Sequence, residues 1–420
     1  MNLSPNTQSI LLLTAPLISK GGSDQDNALK PAEYKKLARL LLKLKRQPAD
    51  FLGPQVEELI EETASVVEAD RARGLLGRGF ALAQALDRWE QRSIWVVSRA
   101  DAHYPSRLKK RLGEDAPPVL YGVGHASILE QGGLAIVGSR KVDGDLLGFA
   151  EDAARLAAQA GKPVVSGGAR GVDQAAMRGA GDEGGMVAGV LADSLERAAV
   201  KREHRQPLME GQMVLISPYD PAAGFNVGHA MQRNKLIYAL ADAALVVNAD
   251  LNKGGTWAGA VEQLEKLRFV PVFVRASGPP SRPLEALKKK GAQSWPEPRT
   301  PDELQDILAM PFEPRSEAQQ LSLSVQESNA APYQQAEAAE STNGELTMNV
   351  TPAEALMARV RDLVMQLKPP FTAKTVAEDL NITETQAREW LNRLAENGSL
   401  EKLSRPVRYR PKREDRSLFE

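Results

Sequence analysis

Cysteine is absent from all 420 residues. That absence excludes a disulfide framework, a thiolate metal site and a cysteine nucleophile. Histidine is scarce as well: His103, His125, His204 and His229 are scattered and never fall at ligand spacing, so no protein-built metal centre is expected. Neither sign of charge is in excess, with 53 Lys and Arg against 54 Asp and Glu and a pI near 6.5. Nucleic-acid binding would therefore need local basic patches rather than the field of the whole chain. No long apolar run is present either. The N-terminal stretch Ile10 to Ile18 is too short to span a bilayer, lacks a basic flank and is interrupted by Thr14 and Pro16. The chain reads as cytoplasmic, with no membrane partner.

What is present divides into four regions. Residues 1–92 carry helix-period apolar patterns, as in Leu37-Ala-Arg-Leu-Leu-Leu-Lys-Leu44 and the run from Leu75 to Trp89, which reads as a small helical region. Residues 93–312 alternate strands and helices. Ile94-Trp-Val-Val97 and Pro117-Pro-Val-Leu-Tyr121 are extended lead-in segments. Leu134–Val137, Pro163–Val165, Met186–Leu191, Met213–Ile216, Ala244–Val247 and Val270–Val274 then follow as apolar strands separated by helix-length segments. This alternation predicts an α/β fold with a Rossmann-like, mostly parallel sheet covered by helices on both faces. Residues 313–350 are rich in Ser, Gln, Ala, Asn and Glu with Arg315 as the only basic residue, a composition that predicts a disordered linker. Residues 351–420 read as a winged helix. Its elements are a helix over Pro352–Leu367, a second capped by Thr372, a turn at Asn381-Ile-Thr383, a third helix to Glu396, and two wing strands between Ser399 and Pro411.

Ligands of such a sheet bind outside the carboxyl ends of the strands, where helix N-termini direct amides at the crevice. Gly138-Ser139-Arg140 ends the first of these strands. Glycine admits close backbone approach, serine adds a hydroxyl, and arginine grips phosphate with two bonds. Alone, that triplet is equally satisfied by a turn glycine and a solvated arginine. The next strand ends in Ser166-Gly167-Gly168-Ala169-Arg170-Gly171-Val172-Asp173, a second glycine loop containing an arginine; Asp173 reads as a helix cap. Arg233-Asn234-Lys235 bring charge from a helix, or lie solvated, and Gly254-Gly255-Thr256 open a third helix. No Walker lysine, nucleophile with adjacent histidine or carboxylate cluster accompanies these loops, so binding is expected rather than catalysis, with no cofactor.

These residues, in this order, resemble the DNA-processing protein A (DprA/Smf) family. The resemblance runs from Trp95-Val-Val-Ser-Arg-Ala-Asp-Ala-His-Tyr-Pro105 through Pro117–Tyr121 and Ala135-Ile-Val-Gly-Ser-Arg140. It includes Ser166–Asp173, which is similar to the family's Ser-Gly-x-Ala-Arg-Gly-Ile-Asp with Val172 in place of isoleucine, and Arg233-Asn234, which stand where the family has Arg-Asn-Arg. Gly291-Ala292 resemble a late Gly-Ala. The resemblance implies a protein that binds single-stranded DNA, forms a homodimer through the Rossmann-like domain and helps load RecA, in recombination or natural transformation. Arg140, Arg170, Arg233 and Lys235 would then contact phosphates without reading bases, and aromatic stacking platforms are scarce. Between Leu191 and Gly228 the chain departs from the family. Where the family has Gly-Leu-Asp and Tyr-Pro, then Ser-Glu and later Phe-Pro, the chain has Ala192-Asp193-Ser194-Leu195, Lys201-Arg-Glu-His-Arg205, Ser217-Pro-Tyr-Asp220 and Asn226-Val-Gly-His229, which marks a divergent branch.

Two other readings stay open. A nucleotide-sensing module fits the same phosphate loops, and Gly254-Gly255-Thr256 resemble the LONELY GUY-type nucleotide phosphoribohydrolases. Their Gly-Gly-x-Gly-Thr-x-x-Glu pattern is broken here, since Gly255 meets Thr256 directly and Glu262 comes six positions later. In the C-terminal region the third helix mixes Arg388 and Arg393 with Glu384 and Glu389. Basic residues gather instead at Lys402, Arg405, Arg408, Arg410, Lys412 and Arg413, so the winged helix would contact duplex DNA or a protein partner.

Overall fold

The computed structural model describes residues 3–17 and 27–312 and, further on, 361, 364–365, 372–379, 384–396, 400–403 and 408–411. The chain separates into two units, Met1–Ala331 and Pro332–Glu420.

The first unit begins with five helices: α1 (Pro5–Thr14), α2 (Pro31–Lys43), α3 (Val56–Glu62), α4 (Ala69–Leu76) and α5 (Gly79–Glu90). Ser4 caps α1 by accepting from Thr7 N, and Pro5 stands in its first turn, where a missing N–H costs nothing. Ile10, Leu11, Leu12 and Leu13 are all buried, so this apolar run is a core helix. In α2, Tyr34, Leu37 and Leu41 form the buried stripe that the helical period requires.

Next come β1 (Trp95–Ser98), α6 (Ser106–Leu112), β2 (Val119–Gly124), β3 (Leu134–Val137), α7 (Gly144–Gln159), β4 (Val164–Ser166) and α8 (Val172–Asp182). They are followed by β5 (Val187–Val190), α9 (Leu195–Ala199), α10 (Arg202–Met209), β6 (Met213–Ser217), α11 (Val227–Leu240), β7 (Ala243–Val246) and α12 (Gly254–Glu262). β8 (Val272–Val274), α13 (Arg282–Lys289), β9 (Gln293–Ser294) and α14 (Pro301–Ala309) complete the unit. One sheet orders the strands β1-β2-β6-β5-β4-β3-β7-β8-β9. From β6 to β9 all neighbours are parallel. The two lead-in segments join the same sheet antiparallel, with Tyr121 opposite Ser217 and Trp95 opposite Gly122.

Alternation along each strand divides the core in two. Leu134, Ile136, Val164, Val187, Leu215, Leu245 and Phe273 face one apolar cluster, whereas Ala135, Val137, Val165, Val190, Ile216, Val246 and Val274 face the other. A strand buried on both faces must be apolar at every position, which is why these strands appear as continuous runs. The first cluster is continuous from Ile10 through Trp89 to Ile307, so α1 to α5 share their core with α7, α8 and the sheet. Trp89 meets Tyr121 edge-on, with ring centroids 5.0 Å apart. Strand order reverses between β3, which is followed by β4 on one side, and β7 on the other; the crevice of this fold opens at such a point.

The second unit holds α15 (Ala373–Asp379), α16 (Glu384–Glu396) and an antiparallel pair, β10 (Leu400–Leu403) with β11 (Arg408–Pro411). Thr372 accepts from Thr375 N at 3.2 Å and so caps α15. Val376, Leu391, Leu394, Leu400 and Tyr409 form its core, and the Tyr409 hydroxyl donates to Asn392 at 2.8 Å. The linker over residues 313–350, most of the helix over Pro352–Leu367 and the turn Asn381–Thr383 lie outside the described residues.

Candidate nucleic-acid interface

Three chain segments meet at the strand-order reversal. Gly138, Ser139 and Arg140 follow β3, the glycine loop from Gly167 to Gly171 follows β4, and Gly254 to Thr256 open α12 after β7. They are joined by internal bonds: Thr256 Oγ1 donates to the Gly138 carbonyl at 2.9 Å, and Asn234 Nδ2 donates to the Gly255 carbonyl at 2.9 Å. Gly171 has φ +86°, and a Cβ there would lie 2.6 Å from the Ser139 carbonyl oxygen, so only glycine fits where the two loops touch.

The centre of the crevice holds two buried charges. Arg233, from α11, is 5% exposed, and its Nε and Nη1 have no hydrogen-bond partner. It lies so close to the second loop that a Cβ on Gly167 would collide with Nη1. Burial pulls the guanidinium below its ordinary pKa. Asp173, Tyr219 and Asp193 favour its charge, and Arg140 opposes it. Asp173 is not the helix cap that its position suggests. Gly171 precedes α8, and the Asp173 carboxylate instead accepts from Gly167 N at 3.1 Å, with the amides of Ala169 and Gly138 also favouring its charged form. Burial outweighs these and Arg233, raising its pKa to about 6. The amides of Gly138 and Gly167 are thus directed first at a carboxylate of the protein itself.

The remaining candidates fall into two groups. Arg140 and Arg170 are exposed and Gly168 is partly buried beside Arg170, whereas Ser139 is buried next to Arg140. Ser166, by contrast, is fully buried and donates to the Ile136 carbonyl at 2.7 Å, so it braces β3 and β4 and does not face a ligand. Lys235 pairs with Glu262 at 3.1 Å, which takes both side chains away from free phosphate chemistry. Asn234 and Thr256, bonded as above, align α11 and α12.

The structure adds residues that motif reading passes over. The loop between β6 and α11 carries Phe225, which is 51% exposed, with the Arg140 guanidinium 4.8 Å from its ring centroid. An aromatic surface therefore does stand at the crevice mouth. Tyr219 stacks on His229 with centroids 3.8 Å apart and donates to the His229 carbonyl at 3.1 Å. Burial pushes the Tyr219 phenol up to about 12 and holds His229 below its ordinary value, so both rings are neutral at pH 7. The signal available in the sequence was an aromatic on each side of Gly224 in a segment without a family motif. Among the described residues no group of His, Cys, Asp or Glu could hold a metal ion, and no helix is long and apolar enough to cross a membrane.

Comparison with known proteins places this arrangement. Two curated relatives from Mycobacterium tuberculosis, strains CDC 1551 / Oshkosh and ATCC 25618 / H37Rv, are named as putative DNA processing protein DprA. Each is 32% identical over 237 residues, which is 54% of this chain and 59% of theirs. The chain thus spans less than two thirds of the length of these relatives. DNA processing protein A from Streptococcus pneumoniae shares the fold with a TM-score of 0.55 at 18% identity, covering 74% of this chain and 99% of that one. DNA processing protein A from Helicobacter pylori, solved for its single-stranded DNA binding mode, aligns at 25% identity over 51% of this chain and 94% of that one, with a TM-score of 0.41. The family model for DNA recombination-mediator protein A matches residues 95–309, half of the chain. From β1 to α14 the chain therefore belongs to the DNA recombination-mediator protein A family.

Proposed function

We propose that this chain binds single-stranded DNA in the crevice, seating backbone phosphates against Arg233, Arg140 and Arg170. The observation that carries this reading is Arg233. A buried guanidinium with two unfilled N–H donors is costly to maintain, and a phosphate oxygen supplies the acceptors that they lack. Exposed Arg140 and Arg170 extend the positive surface outward. Contacts of this kind position a strand without reading base edges, so binding is sequence-tolerant and falls with salt. The strand so held would be protected and passed to RecA in recombination or transformation. Homodimer formation, action in the cytoplasm, and contact of the C-terminal unit with duplex DNA or a protein partner belong to the same reading, resting on family membership and on the helix-helix-hairpin order of that unit.

A fluorescence-anisotropy titration of the full chain with labelled oligo-dT and a matching duplex, across several salt concentrations, tests the reading. The single strand is expected to bind more tightly, with log affinity falling linearly in log salt. Replacing Arg140 and Arg170 together by alanine should weaken binding and make that slope shallower by about 0.7 for each lost phosphate contact, with the melting temperature unchanged. Absence of strand binding at low salt overturns the reading.

A further inference from the structure

The loop from Pro218 to Asn226 is held at many points. Tyr219 N donates to Ser217 Oγ at 3.1 Å, Ala222 N to Asp220 Oδ1 at 2.8 Å and Ala223 N to the Asp220 carbonyl at 2.8 Å. From the neighbouring segment after β5, Ser194 N donates to the Ala223 carbonyl and Glu196 N to the Pro221 carbonyl. Asn226 then caps α11 by accepting from His229 N at 3.1 Å. Between these anchors Gly224 and Phe225 form the tip. A loop pinned this well does not leave an aromatic ring half in water for want of order, and Arg140 holds the ring from one side. Arg140 belongs to the loop after β3 that borders the crevice, so the half-exposed ring stands beside it.

We propose that Phe225 is a base-stacking platform, and that a nucleotide of the bound strand lays its base on the open surface of this ring while its phosphates engage Arg140 and Arg233. The proposal rests on the single-strand reading and deepens it. Every base has a π-face, so the platform adds affinity without a preference for sequence. It also gives the chain a means of rejecting paired bases, whose faces are covered by their neighbours. Because the ring is anchored in place before DNA arrives, little ordering accompanies the stack.

The test compares two labelled strands of equal length and phosphate count, oligo-dT and a strand of abasic tetrahydrofuran units, at one fixed salt concentration. For the full-length protein, Phe225→Ala is expected to lower the ratio of dT affinity to abasic affinity about tenfold, and Phe225→Trp to restore it. Thermal melting of both variants should match that of the parent, since the ring is half exposed. Equal losses on both strands, or no loss on either, overturn the platform while leaving phosphate binding in place. Failure of the parent protein to bind either strand instead overturns the single-strand reading itself.

Discussion

Asp173 stands in the first turn of α8 with its carboxylate turned back to the loop amides and Arg233 beside it. Burial raises its pKa from 3.8 to about 6, so the folded protein binds a proton there more tightly than the unfolded chain does. The stability attached to this group is fully present below about pH 4 and is lost as pH rises through about 6, a difference of about 3 kcal/mol. Asp173→Asn removes that linkage. Its melting temperature relative to the parent is expected to be higher at pH 7 than at pH 5, and differential scanning calorimetry at the two pH values reads the change. A difference that does not vary with pH would show that the carboxylate titrates normally. In the same range, loss of the Asp173 charge leaves Arg233 less compensated, so binding of an anionic strand should strengthen as pH falls from 7 to 5.5 in the parent and stay flat in the variant. At this scale the sequence shows the arginines and the glycines, because loop motifs are local. It does not show that Asp173 faces the loop amides, that Ser166 faces the core or that Lys235 meets Glu262. Those orientations depend on how separate segments pack. Phe225 escapes notice for the same reason, since an aromatic residue in a loop is exposed or buried only by what the fold puts beside it.

α11 carries Arg233 at the crevice, and its far end is held by α6. Arg111 Nη1 donates to the carbonyls of Tyr238, Ala239 and Ala241, and Arg107 donates to those of Leu240 and Ala241 while pairing with Asp242 at 2.8 Å. Two guanidinium groups thus satisfy the orphan carbonyls at a helix C-terminus, where positive charge is also favoured by the helix dipole. Burial, with Arg107 nearby, pulls Arg111 down to about 10, which still leaves it charged at pH 7. Arg111→Ala leaves those carbonyls unfilled and should cost about 2 kcal/mol, read as a lower midpoint in urea with unchanged slope. An unchanged midpoint would mean that Arg107 or water fills the gap. The strands β3 to β8 are legible in the sequence because burial on both faces forces continuous apolar runs between turn residues. β9, two exposed residues long, offers no such run, and nothing in the sequence of α6 shows that its arginines reach α11. That β1 and β2 are extended is visible in the sequence. That they run antiparallel beside β6 is not, since pairing direction leaves no local trace in composition.

The molecule as a whole ties its helical beginning to the sheet more closely than a boundary near residue 92 suggests. Ile10 to Leu13, Leu82 and Trp89 lie in the same apolar cluster as Val119, Tyr121 and Leu134. Polar contacts repeat the connection. Arg88 bonds Glu196 at 2.9 Å, and Asp101 accepts from Ser4, Thr7 and Ser98, whose hydrogen bonds outweigh burial and hold its carboxyl below the usual range. The sequence separates these regions because helical and alternating patterns differ, yet a pattern change marks a change of element type and carries no information on whether a core is shared. Removing residues 1–92 would strip Trp89 and the leucines of α1 from one face of the sheet, leaving Val119, Tyr121 and Val123 against water. Patches of this size on a lone domain lead to association. The fragment 93–312 is therefore expected to aggregate or to melt far below the parent. The fragment 1–312, which keeps every described residue of the first unit, should unfold cooperatively and retain its affinity for oligo-dT within a few fold. Calorimetry and light scattering on the two fragments decide the point. A soluble, cooperatively melting 93–312 would mean that the helical region is a separate domain resting on a sheet that is stable without it, and the shared cluster would then be an interface rather than a core.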